Sequence, residues 1–175
     1  MVRASSKRRV PKILRTSVRN GGRSKLRVLV TGAGGMVGRA VSQLCLAEGD
    51  EVIARDRKGL DISDAVQVDT AVDQDRPDVI INCAAWTDVD GCEGDHARAM
   101  GANALGPENL ANASRRVGAG FVTISTDYVF DGKKQGFYTQ RDTPNPLSVY
   151  AHSKLEGERR AQNSHARSIV VRTGF

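Results

Sequence analysis

Apolar and polar positions alternate along the chain in two periods, and the changes between them mark out the elements. An apolar run, Val28-Leu29-Val30, stops at Thr31. Three glycines follow at three-residue spacing, Gly32, Gly35 and Gly38. Apolar positions then recur as Met36, Val37, Ala40, Val41, Leu44 and Cys45, near one face of a helix. The stretch predicts strand, tight turn, helix. Glu51 to Arg55 predicts a second strand, and Leu60 to Ser63 a short third strand or its exit. Ser63 or Asp61 is placed to cap a helix from Asp64 to about Gln74. Val79 to Ala85 has the continuous apolar pattern of a buried parallel strand and ends in small residues. Helical spacing covers Asp90 to Gly101 and Asn103 to Val117, with Gly106 and Pro107 weakening the start of the second. Phe121 to Ile124 and Ser168 to Val171 predict the last two strands. Strands alternating with helices predict an α/β fold, a doubly wound parallel sheet of the Rossmann kind.

Such sheets bind ligands outside the carboxyl ends of their strands. At the first of those ends, glycine lets a pyrophosphate approach the main chain, and the new helix N-terminus offers unpaired N–H groups to an anion. A glycine-rich turn without a ligand is the plainer alternative. The preceding strand and following helix favour a dinucleotide site. Asp56 follows the second strand, where an acid can accept hydrogen bonds from the adenosine ribose and favour NAD. Arg55, Arg57 and Lys58 flank it and could hold the 2′-phosphate of NADP. A solvated charged loop is the alternative there.

At 175 residues the chain is long enough for one domain with a proper core. Its net charge of +6 is uneven, because residues 1–25 hold nine Lys or Arg and no acid. The remainder has 17 basic and 20 acidic residues. The basic balance therefore describes the tail and argues poorly for nucleic-acid binding. We expect residues 1–25 to be a disordered basic tail and residues 26–175 to be an NAD(P)-binding Rossmann domain. A transit peptide, a nucleic-acid-binding arm or an upstream start codon chosen in error would each account for such a tail, with the last or plain disorder preferred. No apolar run approaches a membrane span. Cys45, Cys83 and Cys92 have neither a disulfide-framework nor a zinc spacing, which fits a reducing compartment and a cytoplasmic protein.

Tyr150 and Lys154 form a Y-x-x-x-K pair. On a helix they share a face, so the ammonium can lower the phenol's pKa and prepare it to protonate a carbonyl oxygen as hydride reaches its carbon. Alone the pair is a weak signal. Here it opens a helix after Pro144-Asn145-Pro146, and Thr126 lies beyond the fifth predicted strand, within reach of the same carbonyl.

The stretches TGAGGMVG, RPDVIINCAAWTDVDGCE, STDYVFDG and PNPLSVYAHSKLEGE resemble the extended short-chain dehydrogenases/reductases, and within them the dTDP-4-dehydrorhamnose reductase family. The resemblance runs from about Leu26 to Phe175. It implies a Rossmann domain followed by a substrate domain, and NADPH- or NADH-dependent reduction of the 4-keto group of a nucleotide sugar, dTDP-4-dehydrorhamnose. By position, Tyr150 would be the proton donor, Lys154 would bind the nicotinamide ribose and tune the tyrosine, and Thr126 would bind the substrate carbonyl. Asp127 and Phe175 would contact substrate. Gly32, Gly35, Met36, Val37 and Gly38 would surround the pyrophosphate. Asp56 would meet the adenosine ribose, Asp61 and Ile62 the adenine side, and Ala84, Ala85 and Trp86 the cofactor further along. Asn103 matches an asparagine that supports the active-site strand and helix; a helix N-cap is its alternative. A homodimer is implied for the intact protein, although Ala40 stands where some members place a metal-binding Glu at the dimer interface, so no metal is expected. The sequence is expected to lack the C-terminal substrate domain, to bind NAD(P)(H) weakly or not at all, and to turn over little sugar by itself. Alternatives are another sugar-nucleotide epimerase or dehydratase, against which STDYVFDG argues, and a non-catalytic, dinucleotide-binding regulatory subunit of methionine adenosyltransferase.

Overall fold

β1 (Arg27–Thr31) is apolar at every central position, and Val28, Leu29 and Val30 are all buried. That is the mark of a strand covered on both faces. The computed structural model describes residues 24–174, so Phe175 and most of the expected basic tail lie outside the described residues. Among them, β1 lies inside a five-stranded parallel sheet of order β2-β1-β3-β4-β5, with β2 Glu51–Arg55, β3 Val79–Asn82, β4 Gly120–Thr126 and β5 Ser168–Thr173. The register sets Thr31 beside Asn82, Asn82 beside Thr123, and Thr126 beside Thr173. The carboxyl ends of β1, β3 and β4 therefore finish on one side of the sheet.

Right-handed crossovers decide which face each helix covers. The chain turns back over β1 after β2, so α1 (Met36–Ala47) lies on the face opposite α2 (Ala65–Asp75), α5 (Gly106–Val117) and α6 (Val149–Ser164). The main core sits under these three helices, where Leu29, Ile80 and Phe121 meet Val68, Val72 and Leu110. β4 alternates between buried and half-buried residues because, among the described residues, α1 alone covers the other face. For the same reason the apolar face expected on α1 is not a core face. Met36 and Leu44 are exposed, and Gly38 is the helix's buried residue.

Residues 60–63 are not a strand. The Asp61 carboxylate accepts the Ser63 N–H at 3.0 Å and its hydroxyl at 2.6 Å, which closes a turn and stops extended backbone. Leu60 and Ile62 drop into the core from this turn. The cap of α2 is Asp64, not Ser63 or Asp61: its carboxylate accepts the N–H groups of Val66 and Gln67. β3 ends at Asn82, and residues 83–88 are irregular. Further on, α3 (Val89–Gly94) stops at Asp95, which caps α4 (His96–Met100). A π-helical turn, Gly101–Leu105, then leads without a break into α5. Pro107 directly follows this turn, at the start of α5.

Candidate active site

Each glycine of the turn after β1 has its own steric reason. Gly32 has φ +66°, and a Cβ there would lie 2.5 Å from the Ala84 nitrogen. A Cβ on Gly38 would overlap the carbonyl oxygen of Gly32, so this glycine brings α1 close to β1. Gly35 differs: its φ is −79°, and a Cβ would make only ordinary contact at 3.4 Å. Gly35 is exposed and borders a cavity of about 600 Å³. It also starts α1 without any side-chain cap, so the helix presents uncapped N–H groups there. These features fit a pyrophosphate.

The cavity brings together most of the residues expected to hold a dinucleotide: Gly32, Gly35, Asp56, Asp61, Ile62, Ala84, Ala85 and Trp86 all line it. Met36 is exposed and, like Val37, does not line it; Gly38 acts through packing. Asp61 is held below the usual carboxylate range, chiefly by the Ser63 hydroxyl and then by the Ser63 N–H. Asp56 Oδ1 accepts the N–H groups of Lys58 and Gly59, each at 3.0 Å. Arg55 forms a two-point pair with Asp75, at 2.9 Å through each nitrogen. Of the three flanking basic residues, that leaves Arg57 and Lys58 lining the cavity.

The cavity floor rests on a buried polar ladder. Thr31 Oγ1 donates to Asn82 Oδ1 at 2.7 Å, Asn82 Nδ2 donates to Thr123 Oγ1 at 3.0 Å, and the Ala84 N–H donates back to Asn82 Oδ1 at 3.1 Å. The ends of β1 and β3, the middle of β4 and the residue entering the site are thereby held together. Trp86 borders the cavity and also packs on the cluster of Cys92, Ala99 and Tyr150. The Arg98 guanidinium lies 4.1 Å from the centre of its ring. Asn103 is not a helix cap. It lies buried inside the π-helical turn, exchanges two hydrogen bonds with the Trp86 backbone, and donates to Ser153 Oγ at 3.0 Å. Ser153 in turn donates to the Tyr150 carbonyl at 2.7 Å. A π turn at such a junction is a common companion of functional sites. A Cβ on Gly157 would overlap the Asn103 carbonyl oxygen, so α6 can approach the turn only with glycine there.

Ser148 caps α6 by accepting the Ala151 N–H at 3.1 Å, which fixes the helix start two residues before Tyr150. The Tyr150 ring meets Tyr128 edge to face, with centroids 6.0 Å apart. Burial pushes the phenol above its ordinary pKa, and the Thr126 hydroxyl works against that rise. Lys154 is buried, and its Nζ donates to the Ile124 carbonyl at 2.7 Å. Burial brings this ammonium down to about 8, with Glu158 and then Cys83 opposing the fall. Thr126 Oγ1 accepts the Tyr128 N–H at 3.1 Å and donates to Asp127 Oδ1 at 3.2 Å. Asp127 lies against Gly174, where a Cβ would meet Oδ2 at 2.6 Å. The expected substrate contact Phe175 is outside the described residues. Sequence reasoning missed Asn82, Ser153, Glu158 and Arg172. The available signal was helical spacing, since Tyr150, Lys154 and Glu158 stand at i, i+4 and i+8.

A parallel sheet with a glycine turn on its first strand, and a Tyr–Lys helix beside the end of β4, defines a Rossmann-type nucleotide-binding fold. The sequence profile described as the RmlD substrate binding domain matches residues 26–175, and the chain belongs to that family. It is 43% identical over 150 residues to the dTDP-4-dehydrorhamnose reductase of Aggregatibacter actinomycetemcomitans, covering 85% of this chain and 51% of the relative. It is 42% identical over 158 residues to that of Mycobacterium tuberculosis, covering 88% and 51%. The crystal structure of the Bacillus anthracis dTDP-4-dehydrorhamnose reductase in complex with NADP superposes with a TM-score of 0.84 at 39% identity, over 88% of this chain and 55% of that one. A Clostridium acetobutylicum dTDP-4-dehydrorhamnose reductase does so with a TM-score of 0.81 at 43% identity, over 83% and 52%. The chain spans about half the length of the curated relatives it matches.

Proposed function

We propose that this chain carries the cofactor site and the catalytic residues of an NAD(P)H-dependent reductase acting on the 4-keto group of dTDP-4-dehydrorhamnose, with dTDP-L-rhamnose as product. One observation carries the reading: Tyr150, Lys154 and Thr126 gather at the end of β4, beside the Trp86 segment that also walls the 600 Å³ cavity. A bound NADH or NADPH would supply the hydride. The Gly32–Gly38 turn would hold the pyrophosphate, Asp56, Asp61 and Ile62 the adenosine half, and Ala84, Ala85 and Trp86 the part nearer the tyrosine.

Thr126 spends its hydroxyl proton on a long bond to Asp127, and it can turn that proton to a substrate carbonyl. Tyr150, kept protonated by burial, gives its phenolic proton to the same oxygen as the carbon is reduced. Carbon gains hydride, oxygen gains a proton, and a phenolate remains. Lys154, one turn further along α6, favours that phenolate through its positive charge. Asp127 would contact the sugar.

Cysteines that stand as thiols, Cys83 and Cys92 among them, accord with a cytoplasmic enzyme. Among the described residues no helix is long and apolar enough to cross a membrane. A homodimer of the intact protein belongs to the same reading.

The test follows NADPH oxidation with dTDP-4-dehydrorhamnose, in this chain and in its fusion to the C-terminal half of the Aggregatibacter relative. Dinucleotide binding is read separately by fluorescence. The fusion is expected to turn over, and Tyr150→Phe to keep binding while losing about 10²- to 10⁴-fold in kcat. Binding without sugar reduction by the fusion would overturn the reading.

A further inference from the structure

Glu158 is a buried carboxylate with no role in the chemistry above. Its side chain is 6% exposed, and both oxygens are engaged. Ser125 Oγ donates to Oε1 at 2.5 Å, Arg172 Nε donates to the same oxygen at 2.9 Å, and Arg172 Nη2 donates to Oε2 at 2.6 Å. Ser125 immediately precedes Thr126 and sits opposite Arg172 in the β4–β5 register. Phe130 lies 5.0 Å from the guanidinium and stacks on Tyr138 at 4.3 Å. A two-point guanidinium–carboxylate pair fixes orientation as well as charge.

Lys154 is the cation one helical turn away. The groups acting on its ammonium are Glu158 on α6, Cys83 at the end of β3, and the Ile124 carbonyl on β4. Tyr150 stands one turn before it on α6, and Arg172 on β5 reaches it through Glu158. Burial disfavours the ammonium, and Glu158 is the largest influence opposing that. We propose that Glu158 is a positioning residue of this site: clamped by Arg172 and Ser125, its carboxylate keeps Lys154 charged and ties the helix bearing Tyr150 and Lys154 to the strand end bearing Thr126. Its catalytic meaning rests on the reductase reading, whereas the coupling to Lys154 belongs to this chain whatever it reduces.

Glu158→Gln preserves shape and removes the charge. The probe is the Lys154 Cε resonance in 13C-labelled chain, assigned by its loss in Lys154→Met and followed against pH. The parent midpoint is expected near pH 8. Glu158→Gln should lower it by about one unit or more, and Glu158→Asp should restore part of the difference. In the fusion that turns over, the alkaline limb of the kcat profile should move down with the midpoint, with little change in KM. An unmoved midpoint overturns the proposal. Should Glu158→Gln not fold, Arg172→Gln serves instead: the carboxylate loses its counter-charge and the midpoint should rise, and an unchanged value again overturns it. Midpoints that move in an enzyme without sugar reduction would sink the reductase reading and leave the coupling standing.

Discussion

Asn103 and Trp86 exchange two hydrogen bonds across seventeen residues of chain: the Trp86 N–H donates to Asn103 Oδ1 at 2.8 Å, and Asn103 Nδ2 donates to the Trp86 carbonyl at 2.9 Å. The side-chain amide copies a strand neighbour for a segment that has left the sheet. Asn103→Ala would leave both Trp86 backbone groups and Ser153 Oγ without this partner. The expected cost is about 1–3 kcal/mol in urea unfolding, with weaker dinucleotide binding as the Trp86 wall loosens. Parental stability and parental binding in this variant would refute that role.

The three glycines should separate by experiment. Gly32→Ala and Gly38→Ala each put a methyl group into backbone and should lose about 1–3 kcal/mol or more of stability. Gly35→Ala should unfold at nearly the parental temperature, yet bind NADPH about tenfold more weakly, because Gly35 borders the cavity. Thermal unfolding and fluorescence titration on the three variants decide the matter.

Lys154 gives the fold a particular pH dependence. Its ammonium ordinarily titrates at 10.5 and is brought to about 8 by burial. Between those values the unfolded chain holds the proton and the folded chain does not, so this group makes stability rise from pH 8 to 10.5. Cys83, raised by burial from 9.0 to about 11, works in the opposite direction over its own window. Comparison with Lys154→Met isolates the lysine. Parent stability should gain on the variant by on the order of 2–3 kcal/mol between pH 7 and pH 10.5. A constant difference across that range would contradict the assignment.

Under the proposed function, Arg57 and Lys58 are the basic residues beside Asp56 that remain to meet a 2′-phosphate. Arg55 is engaged by Asp75, with side chains 27% and 12% exposed. Arg55→Ala should therefore lower stability by about 1–2 kcal/mol without changing the ratio of NADPH to NADH affinity. Arg57→Ala should weaken NADPH about tenfold and leave NADH nearly unchanged. The two titrations, run side by side, test both statements.

Much of the sheet was legible in the sequence because parallel strands buried on both faces read as short apolar runs. β1, β3 and β4 stand close to where the pattern put them. The error at residues 60–63 has a local cause, since Asp61 and Ser63 close a turn that hydrophobic alternation alone does not register. The apolar side of α1 is legible too, yet Met36 and Leu44 on it are exposed. Periodicity shows which side of a helix is apolar, and not whether anything covers it.

The sequence by itself determined the local chemistry. It showed a glycine turn between strand and helix, a tyrosine and a lysine on one helical face, and a threonine at a strand end, because propensity and period act over a few residues. Tertiary structure decided what those groups face. Lys154 points to the Ile124 carbonyl and lies beside Glu158, Arg55 is occupied by Asp75, and Asn103 supports Trp86 from inside a π turn. Each of these pairings joins residues from separate elements or successive helical turns, and burial sets its strength. Neither the meeting of distant segments nor the exclusion of water around them is written in any one stretch of the chain.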